Sequence, residues 1–451
     1  MAHLLLVSAA SEENAFLEAV KTVNKAVGDV VGGWPALILL LFVGLLMSVL
    51  TKFFQISHIG RWLKCTIGAI FRDKSVTKHT GDNQISQFQS ICAALASTVG
   101  TVLAVLFAVF CLFASFGIGN MTQINTIAVN MESTFGIPGF VTGIVLTVVA
   151  ALVVIGGIKR IASVTEKIVP LMVVLYLVGT LAVCFMHIDQ FGAVFGSIFT
   201  SAFGLQAAAG GVVGFGVKCA MEYGMKRGVF SNEAGLGSSV MVHCNSNVKE
   251  PVSQGMWGIF SVFVDTIVVC TLTAFTVLSS GYIDLESGKL ADESITNTGS
   301  LVGLAFEANF GVWGRYFIAV ALLLFAFSTV LGWSHYGTKA CEYLFGVRST
   351  IVYRLIFVVA IMGGATMGEN LAWELSDTFN GMMMIPNLIG LLVLSPLVCK
   401  CTKNYIDRHV RHMDVEPMLS MHEKIQREQA LALAAEEREL EEAGISKDLA
   451  E

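Results

Sequence analysis

Charged side chains are scarce in this chain. Only 14% of its 451 residues are Asp, Glu, Lys or Arg, whereas 55% are hydrophobic. A soluble domain carries about 25% charged residues, so most of this chain is expected to contact lipid rather than water. Nucleic acid is excluded as a partner, because the sequence holds no basic patch with interleaved aromatic residues.

The sequence also lacks the motifs of metal sites and of hydrolytic enzymes. Its ten cysteines are scattered without CxxC or Cys/His ligand spacing, and Cys399 and Cys401 are only two residues apart. Neither HExxH nor GxSxG occurs, and Asp265 is the lone acid inside an apolar run. An enzyme working within the membrane needs a constellation of such groups. We therefore predict no enzymatic activity and no bound metal cofactor.

Long apolar runs are abundant, and each is a candidate membrane span. A transmembrane helix needs about 20 mainly apolar residues. Nine runs fit: residues 35–54, 88–118, 138–157, 168–187, 191–217, 256–280, 313–335, 351–368 and 380–399. The sequence thus predicts an all-α membrane protein with about nine transmembrane helices.

Positive charge alternates between the segments that connect these runs. Lysine and arginine are frequent after the first, third, fifth, seventh and ninth runs, whereas the alternate loops hold Lys289 and, at the edge of a run, Arg315. Because cytoplasmic loops carry the excess of Lys and Arg, we predict a multi-pass protein of the cell membrane, in bacteria the cytoplasmic membrane. Its N-terminus is expected outside and its C-terminus in the cytoplasm.

Composition divides the chain into three regions. Residues 1–34 are predicted to form an extracytoplasmic N-terminal segment, which is amphipathic and not a signal peptide, because acidic residues follow its short apolar run. Residues 35–400 form the transmembrane domain. Residues 401–451 form a cytoplasmic tail rich in Glu, Ala and Leu, which indicates a helix that is either exposed or docked.

The fifth run is weakened by glycine. Residues 204–216 contain five glycines in 13 positions, and each glycine costs about 1 kcal/mol in a helix interior. An interrupted helix in lipid must be buried or line a cavity, and broken helices of this kind bind substrate and ions in secondary transporters. Gln206, Gly210 and Gly211 are therefore candidate substrate-binding residues. Close packing of helices through small residues is the alternative.

The seventh run carries hydroxyl groups beside a tryptophan. Thr329 and Trp333 are four residues apart and share a helix face, and Ser328 adjoins it. Hydroxyl and carbonyl oxygens suit a small hard cation, so Ser328 and Thr329 are candidate cation ligands. Thr329 and Trp333 are candidate walls of a substrate pocket. Alternatively, the hydroxyls bond back to their own helix and the tryptophan only packs.

Asp265 lies in the middle of the sixth run. An ionisable side chain at that depth is costly and usually functional. It is predicted to relay protons, pair with a cation or form an intramembrane network with Thr266.

Four segments and a fifth, shorter one carry a resemblance to a known family. They are residues 114–121, 155–162, 224–238, 325–336 and 377–388. Together they resemble the alanine/glycine:cation symporters over residues 30–405. The resemblance implies a LeuT-like inverted-repeat fold of the APC superfamily with an extra N-terminal helix. It also implies import of alanine or glycine with Na⁺, or H⁺ in some members, and matches residues 204–216 to the sixth core helix and Ser328 and Thr329 to the eighth.

The chain departs from the family pattern near residue 101. Residues 95–101 resemble the start of the first core helix, whereas residues 102–107 resemble the start of the third. The fold is therefore predicted to be internally shortened, with one fused span at 88–118 and nine spans in place of eleven. Thr98, Gly100 and Thr101 remain candidate substrate-binding residues. Two functions stay open: an Na⁺-coupled importer of alanine or glycine, and a transport-inactive membrane protein. The oligomeric state is not indicated.

Overall fold

A computed structural model shows the protein as an assembly of helices. It describes residues 18–70, 98–203, 211–243, 250–285, 290–291 and 301–419, together with residues 426, 427, 430, 431, 434 and 438. Within these residues no β-strand is present, and the nearest approach to one is an isolated bridge between Ile283 and Leu290.

The helices follow one another with short connections. In chain order they are α1 (18–31), α2 (Trp34–Leu50), α3 (Phe54–Ser57), α4 (Ile59–Ile70), α5 (Thr98–Phe116), α6 (Thr122–Phe135), α7 (Gly139–Val154), α8 (Ile158–Met186), α9 (Phe191–Phe203), α10 (Gly211–Asn232), α11 (Val240–His243), α12 (Pro251–Phe263), α13 (Cys270–Leu278), α14 (Leu301–Phe310), α15 (Val312–Phe345), α16 (Ser349–Thr366) and α17 (Glu369–His409). Two π-helical turns interrupt this pattern: π1 (Gly117–Met121) joins α5 to α6, and π2 (Val264–Val269) joins α12 to α13.

Seven of the described helices are long and apolar enough to cross a membrane. They are Glu18–Leu50, Thr101–Phe135, Ile158–Met186, Pro251–Leu278, Val312–Phe345, Ser349–Thr366 and Trp373–His409. Each overlaps a predicted span. The predicted span 138–157 corresponds to the shorter apolar helix α7, and 191–217 lies partly outside the described residues. The all-α membrane class is confirmed, whereas the inverted repeat and the number of nine helices remain predictions.

Segments between the predicted spans are more helical than expected. The loops predicted at 119–137, 281–312 and 369–379 contain α6, α14 and the start of α17. In α6 the buried residues Ile124, Ile127 and Met131 recur at helical spacing. A search for 20-residue apolar runs misses such a helix, because its opposite face is polar.

The chain divides into two compact units. The first unit comprises residues 1–37, 108–231 and 266–383, and the second comprises residues 38–107, 232–265 and 384–451. The largest buried cluster belongs to the first unit, where α6, α7, α15 and α16 contribute residues such as Ile127, Val154, Leu331 and Phe357.

Aromatic rings and small residues pack this cluster. The Phe357 ring lies 5.9 Å from the Phe116 ring and 5.7 Å from the Tyr353 ring. In the same cluster, a Cβ atom built on Gly143 of α7 would lie 2.7 Å from the Cβ atom of Ala365 of α16. Helices in lipid associate through such close contacts, because hydrocarbon supplies little hydrophobic driving force between them.

We predict that Phe357→Ala destabilises the first unit. Phe357 is fully buried, so its truncation removes contacts and leaves a cavity that costs about 3–5 kcal/mol. Val359→Ala is the matched control, because Val359 lies on the same helix and is 69% exposed. Thermal unfolding in detergent should show a clearly lower midpoint for Phe357→Ala and an unchanged midpoint for the control. Equal midpoints for the two variants would contradict the packing of α16.

Candidate functional site

The π1 turn lies against the helix that carries the predicted tryptophan. A Cβ atom built on Gly119 would overlap the side chain of Trp333, so only glycine leaves room for the tryptophan at this position. Trp333 is 2% exposed, and its ring meets the Tyr336 ring edge-on at 5.2 Å. Glycine at 119 therefore fixes where the indole of Trp333 lies within the first unit.

Asn120 continues the π1 turn and is fully buried. Its Nδ2 donates to the carbonyl oxygen of Phe357 at 2.7 Å. Its Oδ1 has no hydrogen-bond partner within the part of the chain that the structure describes. A buried polar atom of this kind is costly unless it is bonded, and π-turns are frequent at functional sites.

Hydroxyl groups surround the same turn. Oγ1 of Thr122 lies 2.6 Å from Oγ of Ser376 and donates at 3.3 Å to the carbonyl oxygen of Gly117. Gln123 Nε2 donates to the carbonyl oxygen of Ile118 at 3.2 Å. These side chains add hydrogen bonds to carbonyls of the π-helical turn, and the Gly117 carbonyl also accepts from the backbone N–H of Thr122.

Ser328 and Thr329 both bond to their own helix. Oγ of Ser328 and Oγ1 of Thr329 donate to the carbonyl oxygen of Phe325, at 2.8 Å and 3.0 Å. A hydroxyl that donates its hydrogen in this way keeps oxygen lone pairs as acceptors. The back-bonding alternative and the cation-ligand hypothesis are therefore compatible, and the cation-binding role stays a prediction.

The predicted substrate residues fall in different parts of the chain. Thr329 and Trp333 belong to the first unit, whereas Thr98, Gly100 and Thr101 lie at the start of α5 in the second. The side chain of Thr101 is exposed. Gly211 is the first residue of α10, and Gln206 and Gly210 lie outside the described residues.

Asp265 and Thr266 occupy the π2 turn. Both side chains are partly buried. Near this region Oγ1 of Thr273 contacts the hydroxyl of Tyr176 at 2.6 Å, within the first unit. The network around Asp265 remains a prediction, and the π-turn gives it a structural setting that composition alone did not indicate.

Residues 233–238, a polar strip that follows α10, form a tight turn in the second unit. Glu233, Gly235 and Gly237 all have positive φ angles, of 55°, 88° and 85°. Ser238 Oγ donates to Oε2 of Glu233 at 2.7 Å. Asn387 Nδ2 donates to the carbonyl oxygen of Gly235 at 2.8 Å. The glycines of this strip are thus needed for backbone conformation.

His243 is the last residue of α11, which follows this strip. Gln254 Nε2 lies 2.5 Å from its Nδ1. Burial lowers the pKa of the His243 imidazole below its ordinary value of 6.5, because desolvation disfavours the charged form. This favours a neutral histidine held in a hydrogen bond.

Arg227, near the end of α10, pairs with Asp377 of α17. Their side chains meet at 2.8 Å, and the guanidinium lies 4.6 Å from the centre of the Trp373 ring. The loop-charge rule, under which loops rich in Lys and Arg are cytoplasmic, predicts Arg227 on the cytoplasmic side and Asp377 on the opposite side. The structure brings the two side chains together, so the sidedness of these two segments stays a prediction to be tested.

Sequence reasoning missed the importance of residues 117–121. It used this segment only as part of a resemblance and did not identify a candidate site there. The available signal was the pair of glycines followed by Asn120 within an apolar run, which is the kind of interruption that was recognised at residues 204–216.

The fold is that of a multi-pass helical membrane protein, with irregular backbone and polar side chains inside apolar helices. A family model for the sodium:alanine symporter family matches residues 17–102 and 101–418. The chain belongs to the sodium:alanine symporter family, which confirms the resemblance.

Several curated transporters are similar in sequence. The chain is 42% identical over 294 residues to a sodium/alanine symporter, AgcS, from Methanococcus maripaludis, covering 65% of this chain and 62% of the relative. It is 38% identical over 307 residues to an uncharacterized transporter from Haemophilus influenzae, covering 68% and 66%. A probable sodium/glutamine symporter, GlnT, from Bacillus subtilis is 36% identical over 298 residues, covering 64% and 59%. The chain thus spans 59–66% of the length of these relatives.

We predict opposite effects for two glycine substitutions beside Trp333. Gly119→Ala should lower the unfolding midpoint, because its Cβ would overlap Trp333, whereas a Cβ at Gly332 meets nothing within 4 Å. Gly332→Ala should leave the midpoint unchanged or raise it, since alanine favours a helix by about 1 kcal/mol over glycine. Thermal unfolding in detergent measures both. A Gly119→Ala variant as stable as Gly332→Ala would rule out the close approach.

A labelling experiment tests the sidedness of the Arg227–Asp377 pair. Lys226→Cys and Glu374→Cys place thiols beside the two partners in a background without native cysteines. Both thiols should react with an impermeant maleimide from the same side of sealed vesicles. Reaction from opposite sides would restore the loop-charge assignment and exclude the ion pair in the membrane.

Proposed function

We propose that the protein is a secondary active transporter that imports a small neutral amino acid, alanine or glycine, by symport with Na⁺. The observation that carries this proposal is membership of the sodium:alanine symporter family. A relative named as a sodium/alanine symporter shares 42% identity with this chain, which favours alanine. A relative named as a probable sodium/glutamine symporter widens the class to neutral amino acids.

The geometry of α15 is compatible with the proposed cation-binding role of Ser328 and Thr329. Their hydroxyl hydrogens point to one carbonyl, that of Phe325, so their oxygens keep lone pairs for a hard cation such as Na⁺. Both side chains are half-buried. A cation bound there would replace part of its hydration shell with these oxygens, at a modest cost in desolvation free energy.

Trp333 and the π1 turn support a substrate-binding role for the adjoining surface. Trp333 lies one helical turn from Thr329 and is held against Gly119, so the indole is a rigid apolar wall. The buried Oδ1 of Asn120 is a hydrogen-bond acceptor in the same turn. Such apolar walls with a few polar groups are typical of small-molecule sites. The substrate roles of Thr98, Gly100, Thr101, Gln206, Gly210 and Gly211 stay part of the proposal.

A second candidate function is a membrane protein of this family that no longer transports. The observation that favours it is that the family model matches in two segments meeting at residues 101–102, where the family pattern is broken. The missing stretch would supply one wall of the substrate site. We therefore also propose an internally shortened core, in which a LeuT-like inverted repeat has fewer than eleven spans.

Uptake by purified protein in liposomes separates the two candidates. Radiolabelled alanine and glycine should accumulate under an inward Na⁺ gradient and not under a proton gradient of equal size. Exchange of internal for external amino acid without any gradient reports a carrier that has lost only its ion coupling. Absence of both uptake and exchange would establish the second candidate.

We predict that Thr329→Ala and Trp333→Ala each lower Na⁺-driven uptake at least tenfold, because one removes a cation ligand and the other a pocket wall. Two controls are matched to them. Thr366→Ala removes an exposed hydroxyl that bonds to its own helix at 3.1 Å, and Trp313→Ala removes a tryptophan that is 78% exposed. Unchanged uptake in both site variants would remove α15 from the site.

A further inference from the structure

A buried ion cluster lies in the second unit. Glu250 precedes α12, and its carboxylate forms an ion pair with Arg408 and lies 3.3 Å from Nε2 of His409, both near the end of α17. The three side chains are 6%, 11% and 13% exposed. Glu250 occupies the N-cap position of α12 without capping it, so its carboxylate serves the contact with α17 instead.

The helix α4 joins this cluster through Arg61. Arg61 Nη1 donates to the carbonyl oxygen of His409 at 2.8 Å, and its Nε donates to the Tyr405 hydroxyl at 3.3 Å. The guanidinium carbon of Arg61 also lies 5.3 Å from the centre of the Tyr405 ring. One arginine therefore connects α4, which follows the first span, to the end of α17.

An apolar layer lies beneath these charges. Trp62 and Cys65 of α4 pack with Met256 of α12 and Tyr405 of α17, and all four are buried. The Trp62 ring also contacts the ring of Phe263 at 5.6 Å. The amphipathic helix α4 thus buries one face against α12 and α17.

The tail is held by the same stretch of α17. Asn404 Nδ2 donates to the carbonyl oxygen of Glu416 at 2.8 Å, and the backbone N–H of Met418 donates to Asn404 Oδ1 at 2.9 Å. Leu419 is buried. Residues 404–409 therefore hold α4, the start of α12 and the tail at once.

The Nε2 atom of His409 lies within reach of both Arg408 and Glu250, and its role depends on the tautomer of the imidazole. His409 Nε2 lies 2.6 Å from Nη2 of Arg408 and 3.3 Å from Oε1 of Glu250. A neutral imidazole accepts from the guanidinium at Nε2, whereas a donor N–H at the same atom serves the carboxylate.

We propose that residues 61–65, Glu250 and residues 404–409 form a clasp that is closed by charge and opens during the transport cycle. The loop-charge rule predicts that all three segments lie on the cytoplasmic side. The clasp would therefore hold the cytoplasmic ends of these helices together. In rocking transporters such ends separate when a site opens to that side. Closure of the clasp by charge does not depend on the proposed function. Its opening during the transport cycle rests on that function.

Cys65 reports the state of the clasp. It is 6% exposed in the apolar layer, so as the sole cysteine it should react slowly with a membrane-permeant maleimide. Glu250→Gln and Arg408→Gln should each raise the labelling rate at least tenfold, and the exchanged pair Glu250→Arg with Arg408→Glu should restore part of the protection. Glu342→Gln is the control, because it breaks the more exposed pair with Lys339 and should leave the rate unchanged.

Two further measurements keep the proposal falsifiable. Tyr405→Phe removes only the hydroxyl that accepts from Arg61, so it should fold and raise the Cys65 rate about threefold. Na⁺ with alanine should change the rate in the parent protein at least threefold. Unchanged rates in all clasp variants, or no response to Na⁺ and alanine in liposomes that transport, would overturn the clasp. If the liposomes do not transport, the proposed function fails and the variant rates alone decide whether charge closes the clasp.

Discussion

Hydrocarbon offers no hydrogen bonds, and the rest of the structure depends on this constraint. Backbone groups in such a solvent must be paired within the protein, so the described residues form helices almost throughout. Departures from the regular pattern are therefore informative. At π1, the side chains of Thr122 and Gln123 add hydrogen bonds to carbonyls of the turn. An irregular turn that keeps such partners is a maintained feature and not a defect.

Packing in the first unit depends on contact between glycine and aromatic residues. Gly119 admits Trp333, and Gly337 admits the Tyr353 hydroxyl, which donates to Ser115 at 2.9 Å. Leucine-rich faces would pack no better against each other than against lipid, whereas backbone contact with a ring excludes lipid from a defined place. The same contacts fix Trp333 in one position, so the rigidity of the candidate pocket follows from how the helices associate.

The class of fold could be predicted from sequence because runs of apolar residues are a direct consequence of the solvent. Seven predicted spans overlap long apolar helices, yet α6 was missed because its buried face is only one side of a polar segment. Trp333 was recognised from helical spacing, but its partner Gly119 was not, since a contact between distant segments leaves no local pattern. The Arg227–Asp377 pair was missed for the same reason, and there the loop-charge rule pointed the other way.

The break in the family pattern near residue 101 leaves no trace in local structure. Helix α5 runs from Thr98 to Phe116 without a kink residue at the junction, because Thr101, Val102 and Leu103 are all compatible with a helix in lipid. If the core is shortened here as predicted, local propensity would join the two pieces as readily as two halves of one helix. A shortened core would lose specific side chains facing the site, and continuity of the backbone would not replace them. A stable, correctly inserted protein is thus no argument for transport, and only movement of the amino acid itself distinguishes a carrier from a folded relative of one.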